Sequence, residues 1–265
     1  MCLQTAENRK HKHRSAKIFH KMLPSRLTRF LSRNTRNFTS SRITSSTENE
    51  SKITKAKVDP LKIRDFFGVQ QLFTVEDLFR ARVHLGHTPT QLTPQMKPFV
   101  YGTRFNTSII DLDETSLLLR QALNFMAHIA YKGGIILFLA RQPQLVHMVE
   151  KTALESGEYA HCRRWKTTIL TAHLIEFGTE VRHPDCMVFL HTKDGSKYDY
   201  HLAIRDAAKL NIPTVGIVDT DCDPNLISYP IPGNDDSLES QQLYLHLFKQ
   251  AILLGKKKRK EDGLE

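Results

Sequence analysis

Three short apolar runs constrain the architecture most: Ile135–Ala140, Cys186–Leu190 and Pro213–Val218. An uninterrupted apolar run of strand length is what a parallel strand shows when both of its faces are covered. Segments at helical spacing lie between and around these runs. One starts at Asp113 or Thr115, carries Leu117, Leu118, Ala122, Phe125 and Ile129, and stops at Gly133-Gly134. Gln144–Leu154 has Val146, Val149 and Ala153 on one face, Tyr198–Leu210 ends near Asn211, and Asp236–Leu254 is the last amphipathic stretch. Upstream, Thr74 is placed to cap a helix that begins at Val75 and ends by Gly86, and Ser108–Ile110 reads as a short strand. Ser228–Ile231 reads as an edge segment. Strands and helices in alternation with short joints predict an α/β fold, a doubly wound parallel sheet with helices on both faces.

Sheets of this kind often bind nucleotides at the C-terminal ends of their strands, so the residues there test for an enzyme. Arg141-Gln142-Pro143-Gln144 follows the first run and offers neither GxGxxG nor GxxxxGK[ST], hence no glycine cradle for phosphate. His191-Thr192-Lys193-Asp194-Gly195 follows the second and reads as a turn; a GxSxG elbow is absent from the chain. After the third come Asp219, Asp221 and Asp223, placed where an α/β hydrolase or nucleotide-binding enzyme would hold Mg²⁺. With no phosphate cradle or partner base, the simpler expectation is a loop capped by its own carboxylates, Asp219 and Asp223, and similarly Asn234 and Asp235, with Asp235 capping the last helix. His84 and His87 have HxxH spacing, but no HExxH accompanies them and Gly86 breaks helical geometry, so a polar or RNA-facing loop is expected there rather than a metal. No cofactor is expected.

Two joints combine cations with aromatic rings. Lys97-Pro98-Phe99-Val100-Tyr101-Gly102-Thr103-Arg104 is one, and His161-Cys162-Arg163-Arg164-Trp165-Lys166 is the other. Arg and Lys suit phosphates, and Trp or Tyr can stack on a base; a buried Trp covered by basic stems is the competing reading.

Net charge is +10, and its location matters more than its size. Residues 1–47 hold eleven Lys/Arg and one acid, whereas residues 48–265 hold 27 of each sign. The arm is basic, acid-poor and amphipathic around Ile18, Phe19, Met22, Leu23, Leu27, Phe30 and Leu31, the composition of an organellar transit peptide; a basic tail that touches RNA is the alternative. Lys256–Lys260 form a second basic run. The four cysteines form no CxxC pair, which argues against a disulfide framework, and the longest apolar stretch is too short for a membrane span.

Five segments in order resemble the S-two family of small-subunit ribosomal proteins. They are Ala81–His87, Met96–Gly102, Ile109–Leu112, Asn211–Thr220 and Ile231–Asp236. The basic arm and Gly157–His161 make the chain similar to the animal mitochondrial form. The resemblance implies a flavodoxin-like sheet in a structural protein of the mitochondrial small subunit, located in the matrix, that contacts small-subunit rRNA and neighbouring proteins and catalyses nothing. Neither a membrane nor a small-molecule substrate is implied. Expected rRNA contacts are Arg82, His84, His87, Lys97, Arg104, Arg163, Arg164, Trp165 and Lys166. The expected divisions are 1–47 basic arm, 48–71 linker or extension, 72–255 α/β domain and 256–265 basic C-terminal tail. Two departures stand out. Bacterial members carry a long helical hairpin where only Ile169–Asp185 lies here, and the family's glycines and LTN near the Trp are replaced by Thr167-Thr168 and Leu170-Thr171-Ala172.

Overall fold

The computed structural model describes residues 60–63, 65–166, 168–172, 178, 181–193 and 200–264. The basic arm, residues 48–59 and the Asp194-Gly195 turn lie outside them. Five strands form one parallel sheet: β3 (Ile136–Leu139), β4 (Tyr159–His161), β5 (Cys186–Phe189), β6 (Thr214–Val218) and β7 (Tyr229–Pro232), in the order β4-β3-β5-β6-β7. Counting only this sheet, that is order 2-1-3-4-5, the flavodoxin-like arrangement. The three apolar runs are its central strands, and β4 and β7 are its edges. Pro230 and Pro232 lie on the β7 edge, where a missing N–H costs no ladder bond.

Side chains alternate between two cores, as the strand period requires. Ile136, Phe138, Cys186, Val188, Leu190, Val215 and Ile217 face one cluster; Leu139, Met187, Phe189 and Val218 face the other. The first core is closed by α2 (Leu112–Lys132), α3 (Val146–Ser156) and α6 (Leu238–Glu261), the second by α5 (Leu202–Lys209) with Met96, Trp165 and Leu170. Asp111 caps α2 by accepting the Asp113 N–H at 3.0 Å, and Gly133 ends it in the left-handed region at φ 73°. A short turn of helix, α4 (Thr168–Thr171), follows the Trp segment.

Four boundaries differ from expectation. Helix α1 (Val75–Arg80) opens with the expected Thr74 cap, reinforced by Asp77 in a capping box, but stops well before Gly86. Arg82 takes the left-handed position at φ 58°, with Arg82 N–H donating to the Phe79 carbonyl (3.0 Å) and Val83 N–H to Leu78 (3.1 Å). This is a Schellman stop with Arg where Gly is usual. Gly86 serves contact instead: a Cβ there would lie 2.6 Å from Thr220 Cγ2. Second, the Lys97–Arg104 joint is partly a strand, β1 (Val100–Arg104), in a hairpin with β2 (Thr107–Ile110). Phe105 and Asn106 turn the hairpin at φ 48° and 60°, the positive pair that a two-residue turn demands. Third, the domain begins before residue 72: Phe67 and Val69 are buried in the first core. Fourth, Lys256–Lys260 are not a tail but the last turns of α6. Lys256 Nζ pairs at 2.6 Å with Glu158, whose side chain is 3% exposed and also accepts the Ile136 N–H at 2.9 Å. Burial pushes the Glu158 carboxyl up, and the Lys256 ammonium opposes that.

Candidate nucleic-acid interface

Of the nine expected contacts, six cations and one ring stay open to a partner. Lys97 and Arg104 are exposed at the two ends of the hairpin region, and Arg104 lies over the Phe105 ring at 5.3 Å. Tyr101 and Phe105 are 82% and 89% exposed, so the hairpin presents two aromatic rings beside two cations. Charge patterning did not single out Phe105; a two-residue turn between Arg104 and Thr107 was the available signal. Arg163, Arg164 and Lys166 are exposed on the segment that leaves edge strand β4. Arg82 is also exposed, with Nε 3.5 Å from Glu239. His84 stacks on Phe79 with centroids 4.5 Å apart, and burial lowers its pKa.

Trp165 departs from expectation. It is 3% exposed, and its indole N–H donates at 3.0 Å to Asp206, which is itself fully buried and receives Lys209 at 3.2 Å. His161 and His201 meet its ring edge-on at 5.1 and 6.2 Å. The ring is core, with no free face or donor for a base, and only its cationic neighbours reach solvent.

His87 is likewise drawn inward. Its Nδ1 lies 3.2 Å from Asp219 Oδ2 and its Nε2 lies 3.4 Å from Asp236 Oδ2. The Asp219 carboxylate raises the His87 pKa to about 9 against the opposing effect of burial, with Asp221 and Asp236 adding to the rise. The HxxH pair therefore does not converge on one point: His84 stacks and His87 pairs.

The segment carrying His87 covers the ends of the central strands. Thr93 N–H donates to the Thr220 carbonyl at 3.0 Å, Thr93 Oγ1 to the Cys222 carbonyl at 2.7 Å, and His87 N–H to Thr220 Oγ1 at 2.9 Å. The place where a doubly wound enzyme seats a nucleotide is filled by the chain itself. The three acids nearby point to different partners. Asp219 accepts from the Thr220 backbone N–H, Asp221 pairs with Lys193 at 2.8 Å, and Asp223 accepts the Asn225 N–H at 3.0 Å. Asn234 Oδ1 accepts the Asp236 and Ser237 N–H groups at 2.9 and 3.1 Å, and Asn234 Nδ2 donates to the Arg82 carbonyl at 3.2 Å. These Asn234 bonds form a turn ahead of α6, whose N-cap residue is Ser237 and which has no side-chain cap; Asp235, expected to cap the helix, is instead buried and has its carboxyl pushed well up by desolvation and by Asp219, Asp236 and Asp221.

The chain matches the family described as ribosomal protein S2 over residues 78–175 and 172–255. A protein of Bos taurus named small ribosomal subunit protein uS2m is 50% identical over 203 residues, covering 77% of this chain and 69% of its own length. Small ribosomal subunit protein uS2 of Nitratiruptor sp. is 31% identical over 229 residues, 72% of this chain and 86% of its own. The protein of that name from Bartonella tribocorum is 32% identical over 220 residues, 69% and 83%. The two matched pieces overlap at residues 172–175. With fold order, motif order and these similarities in agreement, the chain belongs to the ribosomal protein S2 family.

Proposed function

We propose that this chain is a structural constituent of the mitochondrial small ribosomal subunit, held there by small-subunit rRNA and by neighbouring ribosomal proteins. The observation that carries this is the 50% identity to the bovine mitochondrial protein across 77% of the chain. The role is assembly and support of translation in the matrix, not catalysis. The filled crevice at the strand ends supports that reading, because substrate would compete there with the protein's own backbone hydrogen bonds.

The contact residues are Lys97 and Arg104 with Tyr101 and Phe105 on the hairpin, Arg163, Arg164 and Lys166 beyond β4, and Arg82 and His84 at the end of α1. Exposed cations beside exposed rings suit phosphates and unstacked bases. Residues 1–47 serve as the mitochondrial targeting segment, residues 48–59 connect it, and the α/β domain runs from about Pro60 into α6.

A tagged chain expressed in cells tests the contact set. Charge reversal at one exposed site, Arg164→Glu, is expected to cut incorporation into small subunits several-fold in competition with wild type, while fold stability changes by no more than about 0.5 kcal/mol. Equal incorporation of the two would remove the Arg163–Lys166 segment from the interface. Binding to small-subunit RNA is also expected to weaken as salt rises, with a shallower slope in Arg164→Glu.

A further inference from the structure

The β1–β2 hairpin keeps two aromatic rings in water at a cost that the fold does not recover. β1 carries a bulge: Val100 pairs with Ile110 and Gly102 with Ile109, so Tyr101 is the extra residue, out of register with β2. A bulge re-aims a side chain, and here it leaves Tyr101 82% exposed. Phe105 takes the first turn position at φ 48°. Asn or Gly adopts that left-handed conformation readily, whereas a bulky aromatic residue is strained in it. Burial does not offset the strain, since the ring is 89% exposed. A strained residue whose side chain does nothing for the core calls for a contact outside the chain.

The chemistry around the rings favours a nucleotide as that contact. Arg104 Cζ lies over the Phe105 ring at 5.3 Å, so a guanidinium covers one ring face and the other stays open for a base. Between His87 and Asp111 the chain carries Lys97 and Arg104 and no Asp or Glu, and both cations are exposed. An acid-free stretch with two cations attracts a phosphate backbone, whereas an apolar pocket for Phe105 on another protein would ask for no such charge bias. Among the described residues, no atom lies within 4 Å of where a Cβ would project from Gly102, so the strand surface between the rings is open. A duplex hides the faces of its bases, while RNA loops and bulges expose them.

Resting on the ribosomal placement above, we propose that the hairpin is a stacking finger for unpaired RNA. Phe105, braced by Arg104, stacks on one unpaired base and Tyr101 on a second, while Lys97 and Arg104 hold the flanking phosphates. The two contact regions therefore differ in kind. Arg163, Arg164 and Lys166 have only Trp165 beside them, which is 3% exposed, so that segment holds phosphates alone and accepts paired or unpaired RNA. Stacking at the hairpin tolerates any sequence but requires an unpaired strand.

Fluorescence titration of the purified full chain into a single-stranded RNA of uridines with one central 2-aminopurine, and into the same strand paired with its complement, tests the hairpin. Phe105→Asn is the principal variant: Asn suits the turn better than Phe, so the hairpin is retained, which circular dichroism and thermal unfolding check. Phe105→Trp is the conservative variant. Binding of the single strand by the wild type is expected to quench the 2-aminopurine emission. In Phe105→Asn that quenching is expected to be lost and single-strand affinity to fall about fivefold or more, and both are expected to return in Phe105→Trp. Duplex affinity is expected to be the same in all three, and the basic arm, common to them, cancels from the comparison. Wild-type affinity and quenching in Phe105→Asn would overturn the proposal; if that variant also failed to enter small subunits, the tip would be assigned to a neighbouring protein instead. A wild type that quenches the single strand but does not sediment with small subunits would overturn the ribosomal placement and uphold the stacking contact, so the two failures are distinguishable.

Discussion

Two side chains show how local chemistry decides between surface and core. Trp165 sits among three cations in the sequence, yet a buried carboxylate 41 residues away claims its N–H. Removing that acceptor in Asp206→Ala leaves a buried indole donor and the Lys209 ammonium unpaired, and is expected to cost about 2–4 kcal/mol in chemical denaturation. Since the chain has one Trp, its emission reports this site directly, and the native spectrum is expected to be blue-shifted and poorly quenched by iodide. His87 gives a pH signature. Its pKa rises on folding from 6.5 to about 9, so its contribution is fully present below pH 6.5 and is lost as pH climbs towards 9. After discounting for partial exposure, the loss is about 1–2 kcal/mol across that window. His87→Gln is expected to flatten the stability profile between these pH values; an unchanged slope would mean that the Asp219 contact does not hold the proton. Neither partner was legible from sequence. Asp206 and Asp219 are brought to these rings by tertiary packing, and no local spacing announces them.

Elements were more legible where periodicity was long and termini were chemically marked. The central strands and α2 agree with their apolar patterns to within a residue or two, because their signals are locally consistent. Two of the differences share a cause: a residue adopting a conformation that its type seldom takes. Arg82 ends α1 in place of glycine, and Phe105 and Asn106 turn the hairpin in place of Asn-Gly. At the other end, the basic composition of Lys256–Lys260 suggested a tail, but buried Glu158 needs Lys256 and so the helix continues. The packing of α2 on α6 gives a clear test. Gly255 lies mid-helix in α6, where Gly→Ala normally stabilises by up to about 1 kcal/mol. Here an added Cβ would collide with the Ala127 backbone carbonyl of α2. Gly255→Ala is therefore expected to destabilise by about 1–3 kcal/mol in thermal or chemical unfolding. A stabilised variant would show that the helices do not approach so closely.

At the scale of the whole molecule, the net charge of +10 is a property of the arm, while the folded body presents local cationic points instead of a broad basic face. Fold and family were legible because the five motifs fall at strand ends and turns, which the sheet order then brings together: Ala81–His87, Asn211–Thr220 and Ile231–Asp236 meet over β6. The candidate contacts were only partly legible, since sequence cannot say whether a ring beside three cations faces in, as Trp165 does, or out, as Phe105 does. By the proposed function, the mature chain resides in the mitochondrial small subunit. Sucrose-gradient sedimentation of mitochondrial lysate at moderate salt tests it most directly, with the chain and small-subunit rRNA followed in the same fractions. The chain is expected to peak with that rRNA at about one copy per subunit and to move to the top of the gradient when the subunit is dissociated; sedimentation as free protein while intact subunits peak without it would overturn its placement in the subunit.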